Sequence, residues 1–325
     1  MKPMEWDRST LWLVIAVFVA FVLAVLAGPG YLGVQGAGDV KRLILWEIRL
    51  PRALLGGLVG AGLGVAGAAL QGYLRNPLAE PGIIGVSGGA ALGAVIAIHS
   101  GLAGAFPLAL PVAGLLGAVG ATLLVTLLAG ERSGAVPLIL AGVAVAALAS
   151  ALVSLVLNLS RNPFAAAESI FWMMGSLADR SLIHVMLAGP LIGLGIVLLL
   201  RLGRTLDALT LGDAAAESMG EDLTRARRLL VAGVALSVGA ATAVTGIIGF
   251  VGLVVPHVLR PIVGHRPSRL LLASALGGAV LVMVADALVR LMSPILDIRI
   301  GVLTAVLGAP FFLWLIVKLR RELAA

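Results

Sequence analysis

Long apolar runs, separated by short polar or proline- and glycine-rich stretches, follow one another along almost the whole chain. A bilayer core about 30 Å thick is crossed by about 20 residues of α-helix, and several of the runs reach that length. They lack the period-two alternation of membrane β-strands, and backbone groups in lipid must be hydrogen-bonded internally. The pattern therefore predicts an all-α, polytopic membrane protein.

The apolar runs and the residues that break them predict about ten spans. Their approximate positions are 11–28, 53–74, 83–100, 107–129, 136–157, 182–202, 229–248, 250–263, 270–290 and 300–319. The eighth is the shortest and contains Pro256, His257 and Arg260, so we expect it either to cross the membrane only partly or to lie against other helices. A cleaved secretory signal is the alternative for the first run, but the run is long for a signal and membrane spans follow it, which favours an uncleaved span. No linker interrupts residues 1–325, which we interpret as one transmembrane domain.

The composition agrees with this prediction, because 60% of the residues are hydrophobic and only 12% are charged. If both termini lie inside, 15 of the 23 lysines and arginines fall in inner segments and 8 in outer ones. Inner segments of membrane proteins are enriched in lysine and arginine, so the termini are predicted to be cytoplasmic. The net charge of +7 then reflects membrane orientation and contact with lipid, and we expect no nucleic-acid partner.

Residues for catalysis and cofactor binding are missing from the sequence. A P-loop needs Gly-Lys followed by Ser or Thr, whereas Lys2, Lys41 and Lys318 are the only lysines and none follows a glycine. The chain has no cysteine, and its four histidines lack the spacing of metal ligands. We therefore predict no enzymatic activity, no catalytic residues, no cofactor and no metal site.

Acidic residues are rare within the predicted spans. Asp286 lies in the ninth span, one helical turn before Arg290, so the two can form an i,i+4 pair. The sequence leaves open whether Asp286 has this structural role or a role in transport. An ion-coupled secondary transporter normally needs several buried carboxylates, and their scarcity disfavours that class.

Two segments on the predicted inner side are unusual. Residues 75–82, RNPLAEPG, hold two prolines and a glycine and predict a rigid turn. The loop 204–228 contains LGDAAAESMG at 211–220, which predicts a short helix capped by Asp213 and ended by Gly220. Such a helix is either a docking element for a partner or a solvated connection.

Several glycines recur at every fourth position in the second and third spans. They are Gly56, Gly60 and Gly64, followed by Gly85, Gly89 and Gly93. Small residues on one helical face allow close helix packing in a membrane.

Six motifs, distributed in order over essentially the whole chain, resemble those of the FecCD/BtuC permeases. They are Arg49-Leu50-Pro51-Arg52, QGYLRNPLAEPGIIGVSGGA at 71–90, Trp172-Met173-Met174-Gly175, LGDAAAESMG at 211–220, GIIGFVGLVVPHVLR at 246–260 and IGVLTAVLGAP at 300–310. These permeases are the membrane subunits of type II ABC importers for ferric siderophores, haem and cobalamin.

The resemblance implies a homodimer of ten-helix subunits in the bacterial cytoplasmic membrane, two ATPase subunits and one periplasmic substrate-binding protein. It implies haem or a ferric siderophore as cargo, with cobalamin as the alternative. It also assigns roles to particular positions. The cytoplasmic gate would contain Asn76 and Leu78, with a second ring at Ala135 and Val136, where some relatives carry hydroxyl residues. The ATPase would bind the segment formed by Asp213, Ala214, Ala215, Ala216, Glu217, Ser218, Met219 and Gly220. The binding protein would dock on Arg49, Arg52 and Arg290, together with Arg299, an extra cation where many relatives have proline.

Overall fold

The computed structural model describes residues 8–27, 38–130, 134–293 and 295–324. Every regular element in these ranges is helical, which confirms the predicted all-α class. The α-helices are α1 (Arg8–Leu26), α2 (Gly38–Leu43), α3 (Leu50–Tyr73), α4 (Val86–His99), α5 (Ala109–Ala129), α6 (Ala135–Leu159), α7 (Pro163–Met173), α8 (Leu182–Leu200), α9 (Gly203–Leu209), α10 (Asp213–Ser218), α11 (Leu223–Val234), α12 (Ala240–Thr245), α13 (Val251–Leu259), α14 (Pro267–Met292) and α15 (Ile300–Ala324). Lys2 and Arg132, counted above for orientation, lie outside the described residues.

Eight helical stretches of the described chain are long and apolar enough to cross a membrane. Two of them are continuous across π-helical segments, Ile44–Arg49 before α3 and Ala235–Gly239 between α11 and α12. The other two predicted spans are short helices: α4 has 14 residues and α13 has nine. Nine residues rise about 13 Å, less than half of a hydrocarbon core, which agrees with the partial crossing expected for the eighth span.

Helix α3 lies at the centre of the bundle and is buried over most of its length. It packs antiparallel against α14, with Gly60 opposite Gly278 and Gly64 opposite Ser274. A Cβ atom placed on Gly60 would lie 2.1 Å from the carbonyl oxygen of Gly278, so the two backbones are in direct contact. The predicted close packing of the glycine-rich second span is therefore confirmed.

The glycines of the predicted third span have two different roles. Gly89 and Gly93 face α5, where the backbones of Gly117 and Ala113 approach them. Gly85 lies before α4 in the left-handed conformation, with a φ of 78°, and ends the 3-10 turn Pro81–Ile84. The prediction of close packing holds for α4, and its first member instead forms the turn that delays the start of this helix.

Helices α1, α5, α6 and α15 form the outside of the bundle and carry many of its exposed large apolar side chains. In a bilayer these faces are covered by lipid or by other membrane helices. Helix α1 packs mainly along α14, and its last turn lies beside the first turn of α3. We refer below to this end of the bundle as the α1-terminal end and to the opposite end, where α3 finishes and α10 lies, as the α10 end.

Candidate functional site

Two breaks between helices meet inside the bundle. The first connects α3 to α4 over residues 74–85, and the second connects α12 to α13 over residues 246–250. Gly67 of α3 lies against Gly252 of α13, where an added Cβ would be 1.9 Å from the carbonyl oxygen. Pro81 of the first break also packs on Gly252, where an added Cβ would lie 2.6 Å from the Pro81 ring. Only glycine fits at these two positions, because any side chain would separate the breaks.

Gln71 connects the first break to α13 through its buried side-chain amide. Its Nε2 is placed to donate to the carbonyl oxygens of Ala79, at 3.3 Å, and of Gly252, at 3.3 Å. Its Oε1 accepts a hydrogen bond of 2.7 Å from Nη2 of Arg260, at the end of α13. One side chain thus holds the break after α3 and both ends of α13 in register.

Glu80 forms a second connection between the two breaks. Its Oε1 accepts a hydrogen bond of 2.6 Å from the backbone N–H of Phe250, which has a left-handed φ of 66°. Burial raises the pKa of Glu80 above its ordinary value, although the hydrogen bond from Phe250 opposes this shift. The carboxyl group therefore fixes the start of α13 at a position where the backbone changes direction.

The predicted gate residues Asn76 and Leu78 lie in the first break, at the α10 end. The Asn76 Oδ1 atom accepts a hydrogen bond of 2.9 Å from the Leu78 N–H, as asparagine commonly does in turns. The backbone of Asn76 also receives a bond from Ala79 and donates one to Gln71. Asn76 is exposed and Leu78 is half-buried, so the turn is rigid and reaches the surface.

The other predicted gate residues, Ala135 and Val136, form the first turn of α6 at the same end. Val136 is 64% exposed in the single chain. Ala135 lines a cavity of about 410 Å³ together with Arg75, Asp213 and Glu217. Arg75, the residue before Asn76, lines the same cavity. The two predicted gate segments therefore lie near one another, next to this cavity. The gating function of all four residues stays a prediction.

The predicted ATPase-binding segment contains the short helix α10. Its N-cap is Gly212, with a φ of 102°, and the segment ends at Gly220, with a φ of 85°. The expectation that Asp213 caps the helix was wrong: Asp213 is its first residue, and its carboxylate pairs with Arg75 at 2.8 Å. No pattern in the sequence indicates this pair, because its members are 138 residues apart.

One face of α10 packs on the protein and the other is open. Ala216 is buried, whereas the exposed residues of the predicted segment are Asp213, Ala214, Glu217, Ser218, Met219 and Gly220, with Ala215 half-buried. Thr205 of α9 donates a hydrogen bond to the carboxylate of Glu221, which holds the loop after α10. The helix is thus a fixed protrusion with an exposed face, the shape expected of a docking element.

Four charged residues form a cluster at the α1-terminal end, which we call the arginine cluster: Arg49, Arg52, Asp286 and Arg290. Arg52 donates to both oxygens of Asp286, with Nε at 3.0 Å from each and Nη2 at 2.8 Å from Oδ1. The Nε atom of Arg290 lies 3.1 Å from Oδ2 of Asp286, which confirms the predicted i,i+4 pair. Asp286 is only 2% exposed, so its charge is neutralised within the protein.

Arg49 and Arg290 also bind the last turn of α1. Arg49 Nη1 donates to the carbonyl oxygens of Val25 and Leu26, both at 3.0 Å, and Arg290 donates to those of Ala24 and Ala27. The last carbonyls of a helix lack partners within it, and cations at this end also favour the helix dipole. The cluster therefore anchors α1 to α3 and α14. Docking of a binding protein on Arg49, Arg52 and Arg290 stays a prediction beside this structural role.

Arg299 is more accessible than the arginines of the cluster. Its side chain is 28% exposed and lies 3.8 Å from the carboxylate of Asp297. The guanidinium carbon is 5.7 Å from the centre of the Phe171 ring, within the range of a cation–π contact. This geometry leaves part of the cation available to a partner.

Three of the motifs quoted above also meet at a place where their backbones are in direct contact. Gly175 follows α7, Gly246 follows α12 and Gly301 lies in the first turn of α15, and each backbone is within contact distance of another segment. The N–H of Ser176 donates to the carbonyl oxygen of Thr245 at 2.7 Å. The motifs of the sequence are therefore the places where helix breaks and helix ends meet.

A polytopic helical bundle with broken helices and a short protruding helix has an architecture found among membrane transport proteins. Residues 10–318 match the FecCD transport family. The chain belongs to this family and is a multi-pass permease subunit of an ABC importer.

Individual members of the family are similar in sequence to most of the chain. It is 40% identical over 98% of its length to a vitamin B12 import system permease protein, BtuC, of Vibrio cholerae, 96% of which is covered. It is 43% identical over 87% of its length to the Fe(3+) dicitrate transport system permease protein FecD of Escherichia coli, 88% of which is covered. A solved inward-facing structure of a putative metal-chelate type ABC transporter superposes with a TM-score of 0.85 at 34% identity, covering 95% of this chain and 98% of the other.

Proposed function

We propose that this chain imports an iron chelate, haem or a ferric siderophore, and forms the translocation pathway as a homodimer. The observation that carries the proposal is the match to import permeases for metal chelates along nearly the full chain. Cobalamin is a second candidate with equal support, since the vitamin B12 permease is similar over almost its whole length. All three cargoes are bulky chelates of a metal ion.

The driving force comes from two partner ATPases that bind α10 and the residues next to it, Asp213 to Gly220. Support for this assignment is the exposed face of α10 and its position beside the first helix break. ATP binding closes the ATPase dimer, α10 moves with it, and the helix ends around Asn76, Leu78, Ala135 and Val136 repack. The chain transmits work and catalyses no covalent step.

The orientation in the bacterial cytoplasmic membrane follows from the distribution of lysine and arginine. Both termini and the α10 end face the cytoplasm, and the α1-terminal end faces the periplasm. The periplasmic binding protein then docks near Arg49, Arg52, Arg290 and Arg299. Three arginines with one aspartate leave this end positively charged, and the guanidinium of Arg299 is partly exposed. Positive charge attracts acidic surfaces over a distance, which supports this part of the proposal.

The arginine cluster disfavours the alternative of an ion-coupled carrier. Such a carrier needs a carboxylate that is free to exchange a proton or sodium ion during transport. Asp286 lies between Arg52 and Arg290 and is engaged with both.

Reconstitution tests the proposal. Proteoliposomes containing this chain, its ATPase and its binding protein are supplied with haem, a ferric siderophore or cobalamin, each with and without ATP. ATP-dependent uptake of haem or the siderophore alone supports the proposed cargo, and uptake of cobalamin alone assigns the second candidate. Accumulation by the chain without any ATPase would refute the mechanism.

A further inference from the structure

The ion pair between Arg75 and Asp213 joins two segments that have separate predicted roles. Arg75 immediately precedes the predicted gate residue Asn76, and Asp213 is the first residue of α10. The Nη2 atom of Arg75 lies 2.8 Å from Oδ1 of Asp213. Among the residues that the structure describes, this contact is the ion pair that connects α10 to the first helix break.

Hydrogen bonds connect the segment around Arg75 to α13. Arg75 has a left-handed φ of 49°, a conformation that is uncommon for a residue with a Cβ. The next residue, Asn76, donates its N–H to the carbonyl oxygen of Gln71 at 3.1 Å. Gln71 in turn binds Gly252 and Arg260 at the two ends of α13. A chain of covalent bonds, hydrogen bonds and one ion pair therefore runs from α10 through the first break to both ends of α13.

Space for such a displacement is present next to the pair. The cavity of about 410 Å³ described above is lined by Arg75, Asp213, Glu217 and Ala135, so it separates α10 from the first turn of α6. Both members of the pair are about half exposed, at 48% and 55%. Water competes for both groups, so the contact can break and form again at low cost.

We propose that Arg75 and Asp213 are a pair of positioning residues that transmits the movement of α10 to the gate segment at Asn76. This inference rests on the proposed function, because it takes α10 as the ATPase-binding element. Breaking the pair should loosen the coupling between ATP hydrolysis and transport while leaving the fold intact. The pair is too exposed to contribute much to stability, whatever its role in coupling.

A second exposed ion pair provides a matched control. The Nε atom of Arg266 lies 3.0 Å from Oδ2 of Asp207, and the side chains are 62% and 23% exposed. This pair joins α9 to the start of α14, and within the described part of the chain neither side chain forms a hydrogen bond or ion pair with α10 or with residues 74–85. Removing it changes the charge at the same end of the bundle without cutting the proposed link.

The first measurement is the number of cargo molecules imported per ATP hydrolysed by the reconstituted complex. Arg75→Ala and Asp213→Ala should each lower this ratio roughly two- to fivefold, which corresponds to the range of free energies found for exposed ion pairs. The charge exchange Arg75→Asp with Asp213→Arg should restore most of the ratio, and Arg266→Ala should leave it unchanged. An unchanged ratio in Arg75→Ala, or equal losses in Arg75→Ala and Arg266→Ala, would overturn the proposal.

The second measurement does not depend on the cargo. Because the chain has no cysteine, Ser218→Cys places a single nitroxide label on the exposed face of α10. In the complex with the ATPase, Arg75→Ala should increase the mobility of the label seen by electron paramagnetic resonance, and the charge exchange should reverse the change. If the wild-type complex imports none of the three cargoes, the proposed function fails, and the label alone decides the inference: equal mobility in wild type and Arg75→Ala refutes it.

Discussion

Replacing Asp286 by alanine should destabilise the protein because it leaves two buried cations without their common partner. Arg52 loses three hydrogen bonds of 2.8 to 3.0 Å, and Arg290 loses an ion pair of 3.1 Å. The side chains of Arg52 and Arg290 are 14% and 10% exposed, so water replaces these contacts only in part. Breaking a buried ion pair by removing one member costs about 3–5 kcal/mol, and we expect a loss of this size.

The measurement is the free energy of unfolding in mixed micelles with increasing fractions of SDS, followed by fluorescence of the five tryptophans. The double variant Arg52→Met with Asp286→Ala is the control, since it removes one unpaired cation together with its partner. It should be less destabilised than Asp286→Ala alone, by about 1 kcal/mol or more, because the two residues are directly coupled.

The same variants separate a structural role of Asp286 from a role in transport. If the role is structural, ATP-dependent uptake by Asp286→Ala should fall in proportion to the folded protein recovered. An unfolding free energy equal to that of the wild type, combined with lost uptake, would refute our reasoning and assign Asp286 to transport.

Three further predictions concern other parts of the molecule. Burial raises the pKa of Glu80, so folding favours its neutral form, and the stability that this form contributes is lost as pH rises from the unfolded pKa through the folded one. Glutamine stays neutral, so the melting temperature of Glu80→Gln minus that of the wild type should increase between about pH 4.5 and 8. A difference that is the same at every pH would contradict this. Gly64→Ala places a Cβ 2.0 Å from a backbone oxygen of α14 and should cost about 1–3 kcal/mol or more in the SDS assay, whereas Gly120→Ala, with nothing within 4 Å, should change stability by less than about 1 kcal/mol; equal effects would show that α3 and α14 are not packed as described. Arg299→Glu should weaken binding of the periplasmic partner at low salt more than at high salt, without affecting unfolding, and an affinity independent of salt in both proteins would exclude this docking contact.

The fold class was predictable because membrane-spanning helices produce local patterns in the sequence. Apolar runs are long, and glycines such as Gly60 repeat on one helical face. The short α13 was foreseen from Pro256 and its polar neighbours. The third span, predicted at 83–100, is present as α4, but its start was placed three residues too early, since residues 83–85 belong to the turn that ends at Gly85.

The pairing of distant charges was not predictable in the same way. Asp286 and Arg290 are one helical turn apart, so their contact follows from helix geometry. The partners Arg52 and Asp286 are separated by 234 residues, and Arg75 and Asp213 by 138. Periodicity carries no information about such contacts, which depend on how the helices are arranged in space. Resemblance to a family identified the segments that contain these residues and left their partners unknown.

The direct backbone contact between α3 and α14 limits how this importer can move. Gly60 and Gly64 leave no layer of side chains between the two helices, so neither can slide or rotate against the other without a steric clash. The two helices must therefore move as one rigid body during the transport cycle. Rearrangement then falls to the peripheral helices that pack through flexible side chains, and a cross-link between α3 and α14 should be compatible with full turnover.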